Sequence, residues 1–470
     1  MQAVHKSRRL DMTQGNPARL LLAFSLPIFL GNLLQQCYNL ADTALAGHML
    51  GDAALAEIGA TAALYSLITG FAFGFNNGMA LLVSRFFGSG DKNKMRQAIC
   101  WMVLLAAGIG MLITAGLLLL RRPLLLALQT PSDILPGAQR YITIILAGIP
   151  LTMAYNLESG LLRAVGNSVT PLLLLLFSCG LNVGLDNLFM GPLKWGVQGA
   201  AVATVLAQGF SSVLGFIYIW LRCPDLRFGR RQCRTEPGFV SEIFLTGLSM
   251  ALMSTIFSIG SVILQSSINA LGKIYIAAQV GGRRLVELFM MPGTALSTSI
   301  ATYVSQNYGA GRRTRIMKGI KTACWMYMLW WLVALVFAFT VAPNAVRLVT
   351  GSQNNAVIGH ALLYIQVSIP LFPPMGCLVI MRNALQGMRH RVAPLLCSSL
   401  ELIGKILFSI WLVPVGGYVA VCACEPVTWV VCCLFILGAA WMWRQEFREQ
   451  PGEEKQTGGQ KDEPISTHCL

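Results

Sequence analysis

Apolar runs of membrane-spanning length recur from one end of this chain to the other, and they limit its fold more than any other feature. A bilayer core of about 30 Å takes about 20 apolar residues in helical form. The sequence offers twelve such runs, at roughly 18–46, 54–83, 97–120, 138–160, 169–189, 197–221, 239–269, 275–304, 318–341, 358–381, 393–412 and 418–443. Hydrocarbon leaves no water to satisfy backbone groups, so such runs fold as helices. The expected fold is all-α: a polytopic membrane protein of twelve transmembrane helices. Composition agrees, with 55% hydrophobic and 12% charged residues and a mean hydropathy of +0.62, against about 25% charged in soluble domains. Lys6, Arg8 and Arg9 are followed by polar residues and the first run is long enough to span. A cleavable signal peptide is therefore not expected.

The formal net charge is +15, and its placement points to topology. Arg19, the cluster Arg85, Lys92, Lys94 and Arg96, then Arg163, then Arg222, Arg227, Arg230, Arg231 and Arg234 lie on one side if both termini and the even-numbered loops share it. Arg312, Arg313, Arg315, Lys318, Arg389 and Arg391 continue that series, whereas the opposite loops carry fewer, such as Arg121, Arg122, Lys194, Lys273 and Arg347. Positive charge marks the cytoplasmic side, so both termini are expected there, in a plasma membrane of bacterial inner-membrane type. No basic, aromatic-interleaved domain exists, which argues against a nucleic-acid partner. The 13 cysteines have no zinc-type spacing and read as small fillers in a reducing setting.

The chain also repeats itself. "VSRFFGSG" (Val83–Gly90) matches "VSQNYGAG" (Val304–Gly311), "GIPL" (Gly148–Leu151) matches "SIPL" (Ser368–Leu371), and "VTPLLL" (Val169–Leu174) matches "VAPLLC" (Val392–Cys397), each pair about 220 residues apart and in the same order. The expected organisation is a cytoplasmic N-terminal segment (1–17), a first six-helix lobe (18–221), a basic cytoplasmic linker (222–238), a second six-helix lobe (239–443) and a polar, disordered cytoplasmic tail (444–470). Two parallel six-span repeats suit alternating access, in which lobes rock about a central site.

Within the runs, ionisable residues are few, and an intramembrane charge needs a reason. Asp42 in the first span and Asp186 in the fifth both fall in the outer half by helical rise. Asn182 lies one turn before Asp186 on the same face, and Thr204 enters the sixth span at a similar depth. Oxygen ligands of this kind suit a hard cation or a shared proton, and desolvation favours the proton- or cation-bound form. The alternative is that Asp42 caps a helix end and Asp186 sits in an outer loop. In the eighth span, Arg284 and Glu287 are spaced to pair, and Arg283, Arg284, Glu287 and Gln279 are candidates for lining a cleft or touching substrate. Glu158 with Arg163 reads as a stabilising pair, Glu401 with Lys405 as an internal i,i+4 pair, and Glu57 as close to the outer surface. Glu425, beside Pro426, has no assigned role. Pro27, Pro150, Pro292 and Pro370 permit kinks.

At this point the residues carry a resemblance. "LPIFLGNLLQQCYNLADTALAGHMLG", "GMALLVSRFFGSGDKNKMRQAI", "GLLRAVGNSVTPLLLL", "LNVGLDNLFM", "WGVQGAAVATVLAQ" and "VSQNYGAGRRTRIMKGIK" resemble the multidrug and toxic compound extrusion family of the flippase-like exporter superfamily. That resemblance implies efflux of drugs or metabolites, amphipathic or cationic, in exchange for H⁺ or Na⁺, by a monomer without any cofactor. It also implies cation binding in the first lobe at Asp42, Asn182, Asp186 and Thr204, with a backbone carbonyl from Ala200. The seventh span has Gln265, Ser266 and Asn269 and no carboxylate, so a cation site in the second lobe is not expected.

Two rival readings remain. A lipid or lipid-linked sugar flippase of the same superfamily would want several basic cleft residues. A membrane-embedded enzyme would want a catalytic set, and His48, His360 and His390 are isolated near loops. No phosphate-binding G-x-x-x-x-G-K-[ST] loop occurs, so an ion gradient is the expected energy source.

Overall fold

A computed structural model describes residues 10–229, 233–234 and 237–447. Lys6, Arg8 and Arg9, Arg230 and Arg231, Glu236 and the tail beyond 447 lie outside the described residues. Among the described residues the regular structure is all helical, as expected. In the first half run α1 (Pro17–Leu50), α2 (Asp52–Ser89), α3 (Lys92–Ala127), α4 (Leu135–Ala147), α5 (Ile149–Ala164), α6 (Val169–Met190) and α7 (Val197–Arg222). The second half follows with α8 (Pro237–Leu271), α9 (Lys273–Gly309), α10 (Arg313–Thr340), α11 (Ala342–Thr350), α12 (Asn355–Ser368), α13 (Phe372–Gly387), α14 (Val392–Leu407) and α15 (Val413–Met442).

Every expected span has its helix. Nine described helices are long and apolar enough to cross a bilayer, or ten if α4 and α5, bent by 45°, form one broken span. Two more spans escape that criterion for physical reasons. Val392–Met442 passes as one stretch, but the backbone breaks at Gly417 (φ 56°, ψ −139°), which separates two spans. Helix α9 carries Arg283, Arg284 and Glu287 along its length.

Breaks fall where the repeated motifs put them. Pro150 lies at the α4–α5 bend, and its partner Pro370 lies in a 3-10 turn, Ile369–Leu371, between α12 and α13. Proline removes one helical hydrogen bond and crowds the preceding turn, which accounts for both. Left-handed backbone positions repeat as well. Gly51 and Gly272, Gly90 and Gly311, and Gly196 and Gly417 all have positive φ, each pair 221 residues apart (51 to 272, 90 to 311, 196 to 417). Gln129 and Gly351, 222 apart (129 to 351), and Gly166 and Arg389, 223 apart (166 to 389), also match in positive φ. Gly196 (φ 59°, ψ −142°) and Gly417 (φ 56°, ψ −139°) share a conformation that side-chain-bearing residues almost never adopt.

By internal contacts the described chain forms two compact units: one built on Leu30–Ala251, the other on Met12–Phe29 together with Leu252 onward. This is a partition by packing, and it cuts within α1 and α8, where the expected lobes begin at residues 18 and 239. In the first unit, α2 meets the early part of α8 at glycines: a Cβ on Gly78 would come within 2.5 Å of the Thr246 carbonyl oxygen. Small residues allow such close helix approach in a membrane protein.

Each repeat of the "VS…G" motif holds an incoming segment. In the second unit the Met12 N–H donates to Gln306 Oε1 at 3.0 Å, and Asn307 Nδ2 donates to the Met12 carbonyl at 2.9 Å. In the first unit Arg85, at the position matching Gln306, pairs with Glu242 of α8 at 2.9 Å. There the linker is held by Lys92 on Asp225 at 3.3 Å and by a disulfide between Cys100 and Cys233. The disulfide corrects the expectation that the cysteines are only fillers. Cys100 is buried on α3, and spacing in sequence gave no sign that a loop cysteine 133 positions away would reach it. Where the tail was expected to be disordered, Arg444–Phe447 forms a short 3-10 turn.

Candidate functional site

The site is built within the first unit from α1, α6 and α7. Asp42 sits inside α1, eight residues before its last residue Leu50, and Asp186 sits inside α6, four before Met190. Neither is a cap or a loop residue. Asp186 is 0% exposed and Asn182 1%, while Asp42 is half-buried. The two carboxyl groups are within hydrogen-bonding reach of each other. Each also keeps a buried Oδ1 atom without a hydrogen-bond partner. Two bare carboxylates in a poorly solvated place repel strongly. A proton or a small cation between them would relieve that repulsion.

The other predicted residues complete the surroundings. Oriented by its neighbours, the Asn182 amide donates to Asp186 Oδ2 at 2.7 Å and accepts from the Thr204 N–H at 3.1 Å. The opposite orientation sets its oxygen against a carboxylate oxygen, acceptor against acceptor. The Thr204 hydroxyl donates to the Ala200 carbonyl at 3.0 Å, which leaves that oxygen a second lone pair. The oxygen groups brought together are two carboxylates, an amide, a hydroxyl and this carbonyl. Oxygen donors fit H⁺ or Na⁺. Two carboxylates are few for a divalent ion, and no group of three or more metal-type side chains occurs among the described residues.

Several polar neighbours were not anticipated. Tyr38 and Tyr65 lie within electrostatic reach of Asp42, and Gln208 accepts from the Thr152 hydroxyl at 2.6 Å. Tyr38 lies four residues before Asp42 and Gln208 four after Thr204. Both therefore share a helical face with a predicted residue, a signal present in the sequence.

The second unit holds a denser set of charges than expected. The Glu401–Lys405 pair forms, at 3.2 Å, and Lys405 also lies 3.8 Å from Glu425. Glu425 accepts from the Tyr364 hydroxyl at 3.1 Å, and Arg382 lies 3.7 Å from Glu401. The pairing expected for Arg284 is corrected: Arg283 pairs with Glu287 at 2.7 Å, one full turn apart, while Arg284 is exposed. Gln279 is buried and accepts from the Tyr418 hydroxyl at 2.9 Å. Glu158 and Arg163 do not pair either. Glu158 accepts from Ser212 at 2.9 Å and Arg163 donates to Asn77 at 2.9 Å. Five residues apart on a helix, the two point in different directions. Glu57 is half-buried and packs against the backbone of Gly137, where a Cβ would have no room.

Comparison with known proteins places the chain in a family and a fold. The MatE family model matches residues 27–188 and again 249–411, one match in each repeat. The probable multidrug resistance protein YpnP of Bacillus subtilis (strain 168) is 30% identical over 307 residues, 65% of this chain and 68% of that protein. The multidrug export protein MepA of Staphylococcus aureus (strain MSSA476) is 20% identical over 358 residues, 76% of this chain and 79% of that protein. Among solved structures, a crystal structure of MATE in complex with MaL6 has a TM-score of 0.86 at 21% identity, covering 95% of this chain and 100% of that one. An outward-facing multidrug resistance MATE family transporter of the MOP superfamily has a TM-score of 0.84 at 21% identity, covering 94% of this chain and 98% of that one. At that identity the two structures speak for the fold.

Proposed function

The chain belongs to the MatE family, and from that premise we propose that it is a secondary active efflux transporter, exporting small molecules in exchange for H⁺ or Na⁺ at Asp42 and Asp186. The observation that carries this reading is the facing carboxyl pair, with its unpartnered buried oxygens and no basic residue bonded to it among the described residues. An empty pair is costly; a pair holding a small cation is not. Loading is therefore favoured from the side where cations are abundant. A conformation in which the two carboxyl groups separate would release the ion.

Exchange follows if substrate and cation bias the same two-state equilibrium in opposite directions. One charge moving across about 150 mV supplies roughly 3.5 kcal/mol. That supports a gradient of a few hundredfold for a neutral substrate, at about 1.4 kcal/mol per tenfold. The names of the relatives, multidrug resistance and export proteins, favour small-molecule drugs as substrates, and we propose that these are amphipathic or cationic. The alternation of basic loops favours a plasma-membrane orientation with both termini in the cytoplasm, and the whole cation set lies in one chain, as a working monomer requires. A lipid-phosphate cargo gains no support, because Arg283 is neutralised by Glu287 and leaves Arg284 alone.

The test is dye efflux from cells expressing the chain. Expression should lower accumulation of an organic cation dye, and Asp42→Asn should restore it. Equal efflux by the Asp42→Asn and parent proteins would remove the proposed coupling site.

A further inference from the structure

The repeat register lines up the first-unit site with a definite set of residues in the second unit. "VTPLLL" and "VAPLLC" fix α6 against α14, and Asn182 then corresponds to Lys405 and Ser178 to Glu401 (169 to 392, 182 to 405, 178 to 401). Gly196 and Gly417, with the same backbone conformation, fix α7 against α15, and Thr204 then corresponds to Glu425 (196 to 417, 204 to 425). Gly51 and Gly272 fix α1 against α8, and Asp42 corresponds to Ile263 (51 to 272, 42 to 263). The two helices that supply the amide and hydroxyl in the first unit thus supply an ammonium and a carboxylate in the second.

The geometry around Lys405 is that of a bound cation in a cradle. The side chain is 1% exposed. Its Nζ lies 3.2 Å from Glu401 Oε1, 3.8 Å from Glu425 Oε1 and 4.4 Å from the centre of the Phe257 ring. Its stem lies against Gly260 of α8, where a Cβ would come within 2.9 Å of Lys405 Cδ. Glu401 is also approached by Arg382, and Glu425 by the Tyr364 hydroxyl. Two carboxylates and an aromatic face around one positive charge are what a small cation would be given.

We infer that the Lys405 ammonium is a tethered cation, standing in the second unit where an exchangeable ion stands in the first, so that this second pocket is permanently loaded. The chain then has two related carboxylate pockets but exchanges ions at one. The inference rests on the proposed role of Asp42 and Asp186 only for that last contrast. The Lys405 pocket itself stands on its own contacts and on the repeat register.

The experiment separates the two. Full-length protein carrying Asp42→Asn and Asp186→Asn is purified, and its Tm is compared in sodium chloride and choline chloride at mildly alkaline and mildly acidic pH. The same is done after adding Lys405→Met, and after adding Lys405→Met with Glu425→Gln. The groups facing the emptied pocket are Glu401, Glu425, Arg382 and Tyr364, with Arg283 of α9 within electrostatic reach of Glu425. Lys405→Met should gain a stabilisation by sodium or by acid that its parent lacks, and Glu425→Gln should remove the gain. A Lys405→Met protein that responds as its parent does, or that is lost under every cation and pH, overturns the inference. Retention of the full wild-type cation response by the Asp42→Asn, Asp186→Asn parent counts against the first-unit site instead, and leaves the Lys405 comparison intact.

Discussion

In the first unit, Asn182 and Thr204 stand beside two carboxyl groups that make no ion pair among the described residues. In the second, Lys405 and Glu425 take the matching positions; Glu401 lies at ion-pair distance from the Lys405 ammonium and the Arg382 guanidinium, and Glu425 accepts from the Tyr364 phenol. Both pockets bury a carboxylate on α6 or its counterpart α14, while the second carboxylate stands on α1 in the first unit and on α15 in the second. They differ in whether the compensating positive charge is part of the chain. A covalently supplied cation gives a pocket that stays closed to exchange; an external one gives a pocket whose stability depends on what is dissolved around it. The same backbone can therefore serve as a structural clamp in one half and as a loading site in the other.

The sharpest way to break this contrast is to convert the first pocket into the second kind. Asn182→Lys should place an ammonium between Asp42 and Asp186. The protein should remain folded, and dye efflux should fall by about tenfold or more, matching Asp42→Asn, a change of at least about 1.4 kcal/mol. Efflux at the parental rate would mean that a fixed charge there is tolerated and that no ion needs to enter. Next in size is Glu401→Ala, which leaves Lys405 and Arg382 short of a partner in the interior. Removing one member of a buried pair costs about 3–5 kcal/mol, read as a large drop in Tm. A drop no greater than that of Asn182→Ala would erase the distinction between clamp and loading site.

A smaller effect tests the shared scaffold. Gly196→Ala and Gly417→Ala should each cost about 1–3 kcal/mol through backbone strain alone, since a Cβ at either position meets no atom within 4 Å. The two losses should be equal within error, and unequal losses would argue that the two breaks are not equivalent. Smallest is Arg389→Gly. Arg389 holds φ 79° where its counterpart Gly166 holds 84°. Left-handed backbone costs a side-chain-bearing residue roughly 1–2 kcal/mol, partly offset by the greater freedom of glycine when unfolded. A gain below about 1 kcal/mol is expected, seen as a small rise in Tm.

Most of the scaffold was legible in the sequence, because spanning helices follow from run length and the repeat leaves near-identical strings at "VS…G", "IPL" and "V-x-PLL". That Asp42, Asn182, Asp186 and Thr204 lie together was legible for a related reason: intramembrane carboxylates are rare, and helical rise fixes their depth. Tertiary choices were harder to read. Arg284 at i,i+3 and Arg283 at i,i+4 are both spaced to pair with Glu287, and spacing alone does not choose between them; the structure pairs Arg283. Lys405 was visible as an i,i+4 partner of Glu401, but its approach to Glu425 crosses from α14 to α15 and leaves no local trace. The Cys100–Cys233 bond joins a helix to a distant linker in the same way.

The most direct measurement is cation-driven transport in proteoliposomes containing the full chain, with dye inside and a sodium gradient or a pH gradient imposed separately. One of the two gradients should drive dye movement in the parent protein, and Asp42→Asn, Asp186→Asn and Asn182→Lys should each abolish that driven component while Lys405→Arg preserves it. Driven transport that persists in the Asp42→Asn, Asp186→Asn double variant would contradict the account.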